Sequence, residues 1–177
     1  MIQTNWHVIT GAPSSGKTTL INRMANMGYR IAPEVARNYI RQLIAHNHKL
    51  EEVKHDVLPL QRKILTIMLE RERQLPIDEI IFFDRGTPDS AAYFRYHHLD
   101  DNHVINACKH QRYKKVFYCH GLPVVHDAIR DEDDVSAKKI GEYIYDAYIN
   151  LGYQLIELPA VSIENRLEII LSHMGSL

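Results

Sequence analysis

Gly11, Gly16, Lys17 and Thr18 stand at the spacing G-x-x-x-x-G-K-T within Gly11-Ala12-Pro13-Ser14-Ser15-Gly16-Lys17-Thr18. These residue types in this order suit a polyphosphate. The glycines let the backbone wrap a phosphate with its N–H groups inward, the lysine reaches the β- and γ-phosphates, and the threonine offers a hydroxyl to Mg²⁺. The flanks agree. Trp6–Thr10 is a short run of strand type, and Thr19–Met27 reads as a helix ended by Gly28 at a C-terminal cap position. Free N–H groups and the dipole at a helix start both favour an anion. Gly11 through Thr19 are therefore the expected contacts of a nucleoside triphosphate.

Ile80-Ile81-Phe82-Phe83-Asp84 is an apolar run ending in a carboxylate. Beside a phosphate loop, such an Asp holds Mg²⁺ directly or through water. Thr18 and Asp84 are thus the expected metal ligands. Arg85 follows, and an arginine holds a phosphate or an acceptor rather than polarising water. Cys108 and Cys119 lie among several histidines, but their spacings do not form the paired ligand knuckles that zinc prefers, and two cysteines give no disulfide framework.

These residues need a scaffold. Strand-like runs at His7–Thr10, Tyr29–Ala32, Glu79–Phe83, Lys115–Cys119 and Tyr153–Leu158 alternate with amphipathic stretches. The helical stretches are Val35–His46, Leu60–Arg73, Ser90–His98, Val104–Gln111, Val135–Leu151 and Ile163–His173, with Ser162 placed to cap the last. Alternation of this kind implies a three-layer α/β fold around a five-stranded parallel sheet, with order 2-3-1-4-5 if the Asp84 strand neighbours the loop strand. Ligands then gather at the carboxyl ends of the strands.

At 177 residues, with no linker, repeat or low-complexity tract, one domain over 1–177 is expected. The net charge of −1 supplies no field for nucleic acid or a membrane surface. No apolar run has the length of a membrane span, and the N-terminus lacks a signal-peptide pattern, so the expected setting is cytoplasmic.

Asp84-Arg85-Gly86-Thr87-Pro88-Asp89, followed by Tyr93, resembles a segment of small single-domain P-loop proteins identified as AAA-type ATPases. That family is similar in turn to nicotinamide riboside kinases and deoxynucleoside kinases. The resemblance runs almost end to end, through Pro33-Glu34-Val35-Ala36-Arg37, Gln61, Arg112-Tyr113, Arg130-Asp131-Glu132-Asp133 and Leu151-Gly152-Tyr153. AAA+ motors carry Asp-Glu where this chain has Asp84-Arg85. The resemblance implies that Glu34 takes a proton from an acceptor hydroxyl, that Gln61 reads a base edge, and that Arg130 closes over the transferring phosphoryl group. Arg37, Arg85 and Asp89 join the expected substrate contacts. Each has a plainer alternative: Glu34 caps its helix or pairs with Arg37, and Gln61 is an ordinary surface glutamine. The acidic run after Arg130 reads as a solvated loop that caps the next helix.

No Asn-Lys-x-Asp clamp for guanine follows a later strand, which leaves ATP as the expected donor with Mg²⁺. Three activities stay open: an ATP-dependent phosphotransferase acting on a small nucleoside-like acceptor, an ATP hydrolase, and a nucleotide-dependent regulatory module. The arginine after Asp84 and the position of Glu34 favour the first.

Overall fold

Strand formation follows from apolar runs long enough to be buried on both faces. The computed structural model describes residues 2–46, 48–121 and 134–175. In chain order the elements are β1 (Ile2–Gln3), β2 (Trp6–Gly11), α1 (Lys17–Asn26), β3 (Arg30–Ala32), α2 (Val35–Ala45), α3 (Leu50–His55), α4 (Val57–Gln74) and β4 (Ile81–Asp84). They continue with α5 (Thr87–Tyr96), α6 (Asn102–Ala107), β5 (Gln111–Arg112), β6 (Lys115–Cys119), α7 (Asp134–Asn150), β7 (Leu155–Leu158) and α8 (Ile163–Met174).

The main sheet has five strands in the order β3-β4-β2-β6-β7, all parallel. Counting only these strands, the order is the expected 2-3-1-4-5. The register pairs Ile9 with Asp84 and Gly11 with Cys119. The phosphate loop therefore leaves the sheet between the ends of β4 and β6.

Side chains alternate across the strands. Trp6, Val8, Ile81, Phe83, Val116 and Tyr118 enter one core with Ile140, Ile144 and Tyr148 of α7. Ile9, Phe82, Phe117 and Cys119 enter the other with Leu20, Ile21 and Met24 of α1 and Ile170 of α8. Helices cover both faces, which is why the strands read as nearly continuous apolar runs.

Three features depart from the sequence reading. The pairing of β1 with β5 joins Ile2 to Gln111 and Gln3 to Arg112, a ladder too short to leave a periodic signal. The short helix α3 was likewise not expected. Helix α5 begins at Thr87 rather than Ser90, because the Asp89 carboxylate accepts the Gly86 N–H at 3.1 Å and Pro88 sits in the first turn, where a missing N–H costs nothing.

Candidate active site

The carboxyl ends of the sheet open into a cleft of about 1,590 Å³. It has two limbs that meet at residues 12–19. One is walled by α2, α4 and α5 through Ile40, Leu60, Gln61, Ile64, Met68 and Tyr93. The other runs along α7 and the turns after β6 and β7, past His120, Gly121, Gly141, Tyr145 and Ala160.

Gly11 is demanded by close packing. Its φ is +135°, and a Cβ there would stand 2.3 Å from the Cys119 carbonyl oxygen. Gly16 adopts φ +86° just before α1, so the chain turns there into the helix. Ser14 also has a positive φ, 60°. Ala12, Pro13, Ser14, Ser15, Gly16, Lys17, Thr18 and Thr19 all line the cleft.

Lys17 is only 5% exposed. Its Nζ donates to the Ala12 carbonyl at 2.5 Å and to Ser15 Oγ at 3.2 Å. Burial, with Arg85 nearby, lowers its pKa to about 8, although the charges of Asp84 and Asp89 pull the other way. A cation held in so dry a place gains strongly from an arriving anion.

Asp84 ends β4 and is 4% exposed. Its Oδ1 has no hydrogen-bond partner. Burial raises its pKa to about 6, with Glu34 adding to the rise and Arg85 and Lys17 opposing it. A buried carboxylate oxygen without a donor fits a hard divalent cation, and the exposed Thr18 lines the cleft.

Arg85 is bent into the left-handed region at φ 67°. Its N–H donates to the Ile9 carbonyl at 3.1 Å, tying the turn to the loop strand. The buried guanidinium lies between two carboxylates: Nε is 3.4 Å from Glu34 Oε1, an ion-pair distance without hydrogen-bond alignment, and Nη1 is 3.4 Å from Asp89 Oδ1. The side chain also packs over the Tyr93 ring, 5.6 Å from its centroid. The surrounding negative groups hold its pKa above the ordinary arginine value, against the effect of burial.

Glu34 follows β3, and its side chain is 16% exposed. It makes no side-chain cap to α2, so the capping alternative falls away. The pairing alternative is present: Arg37 Nε lies 3.6 Å away, on a side chain 54% exposed. Gln61 is not an ordinary surface glutamine. It is 8% exposed and forms part of the cleft wall.

Asp89 has little left to offer a ligand. Oδ1 accepts from Thr10 Oγ1 at 2.6 Å and faces Arg85, while Oδ2 accepts from the Gly86 N–H and from the Tyr148 hydroxyl at 2.7 Å. It anchors Arg85 and is itself one of the residues lining the cleft. Arg130 lies outside the described residues, as do Asp131, Glu132 and Asp133. Among the described residues no cluster of metal-ligating side chains forms around the histidines.

Two groups escaped the sequence reading. Glu72 of α4 is buried against the start of α5 and accepts from Thr87 Oγ1 at 2.5 Å and the Tyr113 hydroxyl at 2.6 Å. Arg166 of α8 is fully buried and donates to three carbonyls around the loop. A basic residue on the apolar stripe of Ile163, Leu167 and Ile170 was the one signal available.

A family model for the AAA domain matches residues 6–166, and the chain belongs to that family. No curated protein sequence matches the chain significantly. Solved structures do. A deoxyadenosine kinase from M. mycoides is 16% identical, with 97% of this chain and 100% of that one covered and a TM-score of 0.70. A NadR protein in complex with NR is 17% identical with a TM-score of 0.69, covering 98% of this chain but 52% of its own. A thymidylate kinase from Ehrlichia chaffeensis is 16% identical over 96% of this chain and 98% of that one, with a TM-score of 0.68. The chain thus has the fold shared by these kinases. Among the described residues no helix is long and apolar enough to cross a membrane.

Proposed function

We propose that this chain transfers the γ-phosphoryl group of ATP to a hydroxyl of a small, nucleoside-like acceptor. One observation carries the reading. A carboxylate, Glu34, stands beside Arg85 and Asp84 where two limbs of a single cleft meet at the phosphate loop. Two limbs suit two substrates.

In this reading residues 11–19 and Lys17 hold the ATP phosphates, and Thr18 and Asp84 hold Mg²⁺. When bound, the metal offsets charge on the phosphate oxygens. Glu34 accepts the proton of the acceptor hydroxyl as its oxygen bonds to the γ-phosphorus. The bond from that phosphorus to the β–γ bridging oxygen breaks, leaving ADP and a phosphorylated acceptor. Arg85, held by Asp89, keeps Glu34 turned toward the junction and adds positive charge where the equatorial oxygens develop negative charge. Gln61 offers an amide to the acceptor beside the apolar Ile40, Leu60, Ile64 and Met68, a mix of apolar lining and a few polar groups that suits a small organic ligand. Arg37 is free to meet the acceptor at the rim or to steady Glu34.

Hydrolysis by the same site leaves the limb around Gln61 without a task. An ATP-consumption assay, run with and without nucleosides, nucleotides and vitamin-like ribosides, tests the reading. Stimulation by one acceptor, with one phosphorylated product per ADP, is the expected outcome. Release of inorganic phosphate at a rate that no acceptor changes would favour the hydrolase.

A further inference from the structure

Arg166 comes from α8, far along the chain from the phosphate loop, yet it is fully buried beneath that loop. Its Nη1 donates to the Ser15 carbonyl at 2.6 Å, its Nη2 to the His120 carbonyl at 2.8 Å and its Nε to the Pro159 carbonyl at 2.7 Å. No carboxylate pairs with it among the described residues. Three peptide units from three parts of the chain thus turn their carbonyls to one guanidinium.

In a trans peptide the C=O and the following N–H point in opposite directions. A carbonyl turned down toward Arg166 turns the next N–H up. Those next residues are Gly16, Gly121 and Ala160, and all three line the cleft. None of their N–H groups donates to another backbone carbonyl among the described residues. Gly16 lies in the loop, and Gly121 and Ala160 follow β6 and β7, so the three span the limb beside α7.

We propose that Arg166 is a positioning residue that aims the N–H groups of Gly16, Gly121 and Ala160 into the cleft as one preset row of donors for the nucleotide. This rests on the nucleotide reading above. Arginine suits the task because its planar fork presents five N–H donors in fixed directions. A lysine keeps the charge but cannot hold three carbonyls in fixed directions at once.

The test uses the full chain, with ATP and tripolyphosphate as ligands in equilibrium titrations below the melting point of each variant. Arg166→Lys and Arg166→Met are both expected to weaken ATP binding at least tenfold while remaining folded. If Arg166→Lys binds ATP as wild type does, the residue acts as a charge or a structural prop, and the inference fails. Should both variants unfold, amide NMR of the wild type decides. Added ATP is expected to shift the Gly16, Gly121 and Ala160 amides together, and tripolyphosphate to shift Gly16 most. ATP that moves Gly16 alone overturns the inference. A wild type that binds neither ligand overturns the nucleotide reading and this inference with it, whereas a wild type that binds ATP with variants that bind equally well overturns this inference alone.

Discussion

Asp84 and Asp89 are two buried carboxylates on the same rim, separated by one turn of chain, and their surroundings are opposite. Asp89 accepts from Thr10, Gly86 and Tyr148 and faces Arg85, so both of its oxygens are satisfied by the protein. Asp84 keeps an oxygen with no partner, and burial lifts its pKa to about 6. An unpaired buried acceptor is costly, which leaves Asp84 as the open position of the pair. The carboxylate of Asp89 is spent on partners within the protein, whereas Asp84 keeps an oxygen that the protein leaves unpartnered.

The largest effect is expected from Asp84→Asn. Losing the charge that meets a divalent ion, worth several kcal/mol in the transition state, should lower turnover about 10³-fold. The same change should raise the melting temperature of the ion-free protein. The raised pKa means that the native state holds the proton more tightly than the unfolded chain, whose value is near 3.8. Stability of the ion-free wild type therefore falls as pH climbs from about 4 to about 6, and Asp84→Asn should flatten that slope. Thermal melts across this range, beside initial rates with Mg²⁺, check both statements.

Asp89→Asn should behave the other way round. An amide cannot accept from all four donors, and Arg85 loses one of its two carboxylates, so about 3 kcal/mol of stability should go. Nucleotide affinity measured well below the melting point should change little. If instead Asp89→Asn melts normally and loses binding, the two aspartates have been assigned the wrong way round.

A smaller effect concerns Lys17. Its pKa near 8 in the free protein must rise when phosphates arrive, since the complex favours the ammonium. Below pH 8 the proton is already in place. Above it, binding must take up a proton, so ATP affinity should fall by up to about tenfold per pH unit. Calorimetry in buffers of different ionisation heat counts that proton.

The strand, turn and helix around residues 11–19 and the strand order were legible because their signals are local: a fixed spacing, a run of apolar residues, a carboxylate at its end. Asp89 was legible as a residue of the site but not in its task, because its partners Thr10 and Tyr148 lie far away in sequence. Arg166 was hidden for the same reason, since its bonds run to carbonyls, which every residue type carries. The left-handed turn at Arg85 was also unreadable, being set by the Ile9 carbonyl and the two flanking carboxylates rather than by a glycine. The burial of Gln61 needed the packing of α4 against the cleft.

The central claim is that Glu34 serves an acceptor, and Glu34→Gln tests it most directly. The amide keeps the volume, and the Glu34 side chain makes no capping bond to α2, so the fold should survive. With the best acceptor from the panel, the single-turnover rate of phosphoryl transfer should fall roughly 10²–10⁴-fold, the usual worth of a general base, while ATP affinity holds. Acceptor-dependent transfer at the wild-type rate in the folded variant would contradict the account.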